Sequence, residues 1–282
     1  MEDLTEYEWE IKSTSSIIDL KLKDTWEYRD LLWLLIRRDF VSVYKQTILG
    51  PIWFLIQPII TTITFTFVFG KLAGLSTDGV PQPLFYMAGI TIWNYFSDCI
   101  NKTSNVFREN EYIFGKVYFP RLIMPISIVF SNLIRFGIQF ILFLFVLGFY
   151  AFHGTGFHLN WVILLFPLII LQIAALGLGA GMIISALTTK YRDLAFLFAF
   201  GMQLLMYSTT VIYPLSATPM RFKWIVELNP MTPVIEFFRY SFLGKGDYTD
   251  ASIAYSVLIT VVILFAGLVV FNKVEKTFVD TV

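Results

Sequence analysis

Arg135 is the hardest residue in this chain to place without giving it work to do. It interrupts the apolar run Leu122 to Tyr150, and insertion scales put a guanidinium at the centre of a membrane span at about +2.5 to +3.5 kcal/mol. Ser127, Ser131, Arg135 and Gln139 follow one another at four-residue steps with Asn132 at their side, so on a helix all five share one face. That face must meet protein or water. Guanidinium and amide groups hydrogen-bond hydroxyls and phosphates, which makes the stripe a candidate hydrophilic wall. The same residues could also form a polar seam that fastens helices to one another, and the spacing leaves both readings open.

Asn94, Ser97, Asp98 and Asn101 make a second polar group in the run Leu84 to Thr103, and its simplest reading is the point where that run leaves lipid for water. Asp98 is the one acidic residue inside any long apolar run. Proton relays through membranes are built from chains of Asp, Glu and His, so an ion gradient is not the expected energy source. Trp53, Phe54, Tyr86 and Trp93 crowd the first two runs. Most such rings pack or face lipid, but aromatic faces along a path would also let sugar rings slide by C–H/π contact.

Enzymatic motifs are missing. The sequence contains no GxxxxGK[ST] loop, no HExxH and no cysteine-rich cluster; His153 and His158 sit in a polar turn, and Cys99 is the single cysteine. No clustered carboxylates are available for a metal-bound sugar nucleotide. We therefore expect no catalytic residue, no metal site and no cofactor on this chain.

The elements that must position these residues are helices in a bilayer. Hydrophobic residues make up 56% of the 282, charged residues 15% and aromatics 18%, with 29 phenylalanines; soluble domains carry about 25% charge. Six runs meet the requirement of about 20 mostly apolar residues: Pro51 to Leu72, Leu84 to Thr103, Leu122 to Tyr150, Trp161 to Leu187, Leu194 to Tyr213 and Ala251 to Phe271. The expected fold is an all-α integral membrane protein with six transmembrane helices. With six spans and no nucleotide motif, it reads as a membrane component powered by something else.

Net charge is zero, which removes the broad basic field that nucleic acid requires. Lys and Arg concentrate before Gly50 and in the second-to-third connection, where Lys102, Arg108, Lys116 and Arg121 lie, while the opposing short loops hold only Lys71. By the positive-inside rule both termini are cytoplasmic. The polar N-terminus lacks the pattern of a cleavable signal peptide, so the first span is expected to serve as insertion signal. Small residues from Ala174 to Gly181 allow close helix approach.

Four appendages complete the plan. Residues 1–23 read as a cytoplasmic extension. Residues 24–46 read as an amphipathic interface helix, opened by an Asp24/Glu27 capping box, with Leu32, Trp33, Ile36, Phe40, Val43 and Tyr44 on one face and Arg37, Arg38 and Lys45 roughly opposite; the alternative is a cytoplasmic helix packed on its own protein. The membrane domain spans 47–272 and a cytoplasmic tail 273–282. Within the domain, Asn105 to Pro120 mixes charges with aromatics and contains a short helix ending at Gly115, expected to dock a cytosolic partner or to anchor at the interface. Pro214 to Asp250 contains two short helices, Met220 to Leu228 and Pro233 to Leu243, joined at Asn229-Pro230, with Thr232 as N-cap and Gly244 as stop. Helices this short are expected to be re-entrant on the external face.

Four stretches then carry a resemblance: RDFVSVYKQTILGPIWFLIQP at Arg38 to Pro58, YFPRLIMP at Tyr118 to Pro125, KYRDL at Lys190 to Leu194, and NPMTPVIEFFRYSFLG at Asn229 to Gly244. In these the chain resembles the permease subunits of type-2 ABC transporters that export O-antigen, capsular polysaccharide and teichoic acid. The resemblance implies a six-span half-transporter in the bacterial cytoplasmic (inner) membrane, pairing with a second copy of itself and with two copies of a cytosolic ABC ATPase that binds ATP and Mg. Lipid-linked polysaccharide and membrane lipids complete the implied partners, with no nucleic acid. It further implies an ATPase-coupling helix at Phe107, Arg108, Glu109, Glu111, Tyr112, Ile113 and Lys116, with a smaller contact at Lys190, Tyr191, Arg192 and Asp193. External gate helices would include Asn229, Pro230, Pro233, Glu236 and Arg239.

Overall fold

In the computed structural model, which describes residues 26–45, 47–114, 119–153, 160–191 and 193–279, the chain is helical with no strand among the described residues. The helices are α1 (Arg29–Tyr44), α2 (Trp53–Phe65), α3 (Gln82–Thr103), α4 (Val106–Glu109), α5 (Glu111–Phe114), α6 (Ile123–Phe152), α7 (Phe166–Lys190), α8 (Leu194–Tyr207), α9 (Met220–Leu228), α10 (Met231–Leu243) and α11 (Asp250–Val279). Among the described residues four helical stretches are long and apolar enough to cross a membrane: Gly50–Leu72, Ile123–Phe152, Trp161–Lys190 and Asp250–Val274. The first is continued from α2 by a π-helical turn, Thr66–Leu72, and carries Pro58 in its interior.

The two remaining expected spans differ for separate reasons. α3 is 22 residues long, about 33 Å at 1.5 Å per residue, but it carries the Asn94, Asp98, Asn101 and Lys102 side chains and lies buried at the centre of the bundle, packed on α6, α7, α2 and α10. α8 has 14 residues, about 21 Å, against a hydrocarbon core of about 30 Å. Its helix stops at Tyr207, not at Tyr213, because the Ser208 and Thr209 hydroxyls donate to the Leu205 and Met206 carbonyls and compete with the continuing backbone ladder.

α7 is the spine, with α11 along one side and α3 along another. A Cβ on Gly179 would fall 2.6 Å from the Leu264 Cα, and one on Gly267 would collide with the Gly179 carbonyl, so the two glycines let these backbones touch. Phenylalanines fill the space between α6, α7 and α10: Phe140 stacks on Phe166 with ring centroids 4.8 Å apart, and Phe238 meets Phe242 at 4.7 Å and Phe143 at 5.2 Å. A second, smaller core gathers Leu35, Val106, Phe107, Phe119, Ile123, Met182 and Phe271.

On α1 the expected stripe is covered at Leu32, Ile36 and Phe40 but not at Trp33. Leu35 and Ile36 are buried and Leu31 and Leu32 pack beside them on the second core, whereas Trp33 and Leu34 stay exposed. The helix is thus seated on its own protein along α6 and presents Trp33 outward. Asp24 of the expected capping box, and the side chains of Val43 and Tyr44, lie outside the described residues, while Glu27 is exposed.

The hairpin α9–α10 also starts differently. α10 begins at Met231, whose N–H donates to Asn229 Oδ1 at 3.0 Å, while the Thr232 hydroxyl donates to the Val226 carbonyl at 2.7 Å. Asn229 therefore does the capping and Thr232 ties α10 to α9. The stop is as expected: Gly244 adopts φ 67°, the left-handed conformation that ends helices.

Candidate functional site

The five-residue stripe divides along α6 into groups with different partners. Ser127 donates to its own helix at the Met124 carbonyl, 2.8 Å. Asn132 accepts from Lys102 Nζ at 3.1 Å, and Gln139 accepts from Asn94 Nδ2 at 3.3 Å, so these two amides fasten α6 to α3. Ser131 and Arg135 instead line a cleft of about 500 Å³ together with Arg38, Asp39, Lys102 and Glu109. Ser131 Oγ and Arg135 Nε are buried with no hydrogen-bond partner among the described residues. The Arg135 guanidinium lies 5.2 Å from the Phe54 ring centroid, a cation–π distance.

Phe54 is buried and stacks on Phe40 at 5.8 Å, which joins α1 to the same cleft. Trp53 is half exposed. Tyr86 and Trp93 are enclosed, at 0% and 5% exposure, packed edge-on against Phe65 and Phe96 respectively. Within one chain these two rings belong to the core.

The segment after α3 forms two single helical turns broken at Asn110. Phe107 faces inward and stacks on Phe271 at 4.8 Å, whereas Arg108, Glu109 and Tyr112 are exposed and Ile113 is partly covered. The side chain of Glu111, and Lys116 with the expected Gly115 stop, lie outside the described residues. Thr188 Oγ1 donates to the Ser104 carbonyl at 2.9 Å, so exposed Lys190, Tyr191 and Asp193 share this end of the bundle; Arg192 is not among the described residues.

Asn110 is the residue that the sequence did not single out. Its Nδ2 donates to the Val106 carbonyl at 3.0 Å, and its Oδ1 accepts from Arg38 Nη2 at 3.3 Å. Arg38 is also paired with Asp39, Nη2 to Oδ1 2.7 Å. The break between the two turns is thereby pinned to α1, and one wall of the cleft is made by the segment expected to dock a partner. The adjacent Arg38 and Asp39 carry no local sign of an attachment 72 residues away.

At the opposite end, Glu236 and Arg239 are both buried. Arg239 Nη1 lies 3.3 Å from Glu236 Oε1, Nη2 donates to the Val211 carbonyl at 3.0 Å, and Glu236 Oε2 accepts from the Asp247 amide at 3.0 Å. Asn229 and Pro233 flank the α9–α10 turn at Pro230, whose carbonyl accepts from Ser256 Oγ on α11 at 2.6 Å. Among the described residues no group of His, Cys, Asp and Glu is arranged to hold a metal ion.

A family model described as "ABC-2 type transporter" matches residues 30–243. The chain belongs to the ABC-2 type transporter family. It is 28% identical over 255 residues to "O-antigen export system permease protein RfbA" of Klebsiella pneumoniae, covering 89% of this chain and 94% of that protein. A protein of the same description from Myxococcus xanthus is 24% identical over 264 residues, 93% of this chain and 98% of its own length. "Polysialic acid transport protein KpsM" of Escherichia coli is 22% identical over 249 residues, 85% and 91%. As an ABC-2 transporter family member this is a multi-pass membrane permease, and the matched region takes in α1, the cleft, α4–α5 and the buried Glu236–Arg239 pair.

Proposed function

We propose that the chain is the transmembrane subunit of an ATP-driven exporter that moves a lipid-linked polysaccharide, O-antigen or a similar surface glycan, across the bacterial cytoplasmic membrane. Two copies would enclose the path, each served by a cytosolic ATPase subunit that supplies ATP and Mg. Relatives named for O-antigen export, matched over nearly their whole length, support the glycan.

The observation that carries the reading is the cleft. A mostly apolar membrane protein gathers Arg38, Lys102 and Arg135 around about 500 Å³, and leaves Arg135 Nε and Ser131 Oγ uncommitted. Guanidinium and ammonium groups lining such a cleft can donate to the hydroxyls and phosphates of a ligand. We place this cleft on the cytoplasmic side, where a lipid-linked glycan is assembled. In this reading α3, and α8 with its extension to Tyr213, complete six crossings, and both termini are cytoplasmic.

Coupling follows from the double role of α4–α5. Phe107 roots the segment in the core while Arg108, Glu109 and Tyr112 face out; a push on the exposed side by the closing ATPase is transmitted through Phe107 to α11 and through Asn110 to α1. The cleft wall moves with it. At the external end α10 is deeply anchored, whereas α9 buries only Val226 and is held by the Thr232 and Tyr255 hydroxyls at the Val226 and Leu228 carbonyls, so any gate movement would pivot α9 at Asn229-Pro230 by releasing these two bonds.

Deleting the gene tests the substrate class. Loss of surface polysaccharide with accumulation of its lipid-linked form inside the cell is expected; an unchanged surface with altered drug tolerance or phospholipid distribution would point to an exporter of small molecules.

A further inference from the structure

A second cavity, of about 560 Å³, lies away from the cleft, between α9, the start of α10 and the start of α11. Its size is within the range of small-molecule sites, about 300–1,000 Å³. Trp224 stands over it with 60% of its surface exposed. Tyr255 forms another part of the wall, with its ring fixed because the hydroxyl donates to the Leu228 carbonyl at 2.9 Å. Glu227 and Asp247 bring carboxylates to the rim, both about half exposed, and Lys223 sits between them, 3.9 Å and 3.7 Å away.

We infer that this groove is a saccharide-binding site that holds the emerging glycan at the external rim; the inference rests on the polysaccharide-export reading above. An exposed indole beside a fixed phenol offers flat apolar faces to the C–H side of a sugar ring, amphipathic surfaces that such rings provide elsewhere at wet interfaces. The two carboxylates accept hydrogen bonds from vicinal hydroxyls. Ion pairs at 3.7 to 3.9 Å in half-exposed positions hold little energy, so the Lys223 ammonium and both carboxylates can turn toward a ligand at small cost. Two carboxylates against one ammonium leave the rim net negative, which disfavours phosphate and the headgroups of anionic lipids and favours an uncharged, hydroxyl-rich partner. The Thr249 and Ser252 hydroxyls lie here too, but they cap α11 by bonding each other's backbone, and they act as scaffold.

The site gives direction to export. A weak hold on each sugar as it leaves opposes backsliding while the cleft at the other end resets.

The test uses the full chain in nanodiscs of phosphatidylethanolamine and phosphatidylglycerol, with the host's own surface polysaccharide, freed of lipid by mild acid, as probe. Calorimetry is expected to detect binding that falls at least tenfold in Trp224→Ala and in Glu227→Gln, stays within about threefold in Trp224→Phe, and is unchanged in Trp161→Ala, an exposed tryptophan outside the groove. Equal binding in all variants, or no binding, overturns the inference. Binding that appears only when phosphatidylethanolamine is omitted would assign the groove to a lipid headgroup and overturn it as well. A Glu227→Cys variant in a Cys99→Ser background separates the two levels. Labelling from outside intact spheroplasts by a membrane-impermeant maleimide upholds the external placement even if glycan binding fails; labelling only after lysis removes that placement and the export geometry with it.

Discussion

The Arg239 guanidinium lies 3.6 Å from the centroid of the Phe85 ring, face to ring, with 1% of the arginine exposed. This one contact joins α10 to α3, and the bond from Nη2 to the Val211 carbonyl joins both to the segment that follows α8. Three elements distant in sequence are therefore held by one side chain whose charge is balanced by Glu236.

Arg239→Ala should accordingly be among the most destabilising single changes in the chain, because removing one member of a buried pair leaves the other charge uncompensated, at about 3–5 kcal/mol. Arg239→Lys should not rescue it, since an ammonium cannot stack flat on Phe85 and also reach both oxygens. Thermal denaturation in detergent measures this. A change below about 0.5 kcal/mol in Arg239→Ala would show that the pair holds nothing.

Arg135→Ala should leave folding and assembly intact and lower export by about ten- to hundredfold, the range expected for losing a hydrogen bond to a charged group, about 1.5–3 kcal/mol. Asn132→Leu should do the reverse in kind, weakening the bundle through loss of the Lys102 contact. Comparing surface glycan with the yield of folded protein separates the two. Loss of insertion in Arg135→Ala would make the arginine a structural residue.

Glu109→Lys should weaken association with the ATPase or uncouple hydrolysis from export, as the exposed side of α4 is the proposed contact. Phe107→Ala should instead loosen the second core, by about 3–5 kcal/mol as for other buried rings cut to alanine. Co-purification and melting temperature read the two effects. Unchanged association and unchanged export in Glu109→Lys would remove the docking assignment.

Gly267→Leu should force α7 and α11 apart where their backbones touch. Overpacking of this kind costs about 1–3 kcal/mol, and more where the obstructing atoms are backbone. The expected readout is reduced yield of folded protein with export per folded molecule also reduced.

How much of this was legible in the residues differs by element. The stop at Gly244 follows from a single local requirement, a positive φ, and the sequence states it. The stripe from Ser127 to Gln139 was legible as a face but not as two groups, because its division depends on Lys102 and Asn94 arriving from α3. Lys102 itself reads as a loop charge, since nothing local says that it turns back toward α6. Tyr86 and Trp93 illustrate a different loss: the first half of α3, Leu84 to Trp93, is apolar nearly all round, and such a segment gives no direction to its rings. Asn110 was illegible for the plainest reason, a contact with Arg38 across 72 residues of sequence.

The central claim is that this permease opens only when a separate ATPase drives it through α4–α5. Proteoliposomes holding the permease with its ATPase and a fluorescent lipid-linked glycan should show ATP-dependent movement of the glycan, to a compartment where an added glycosidase can reach it, and no movement when the ATPase is omitted. Equal movement by the permease alone, with or without ATP, would contradict the account.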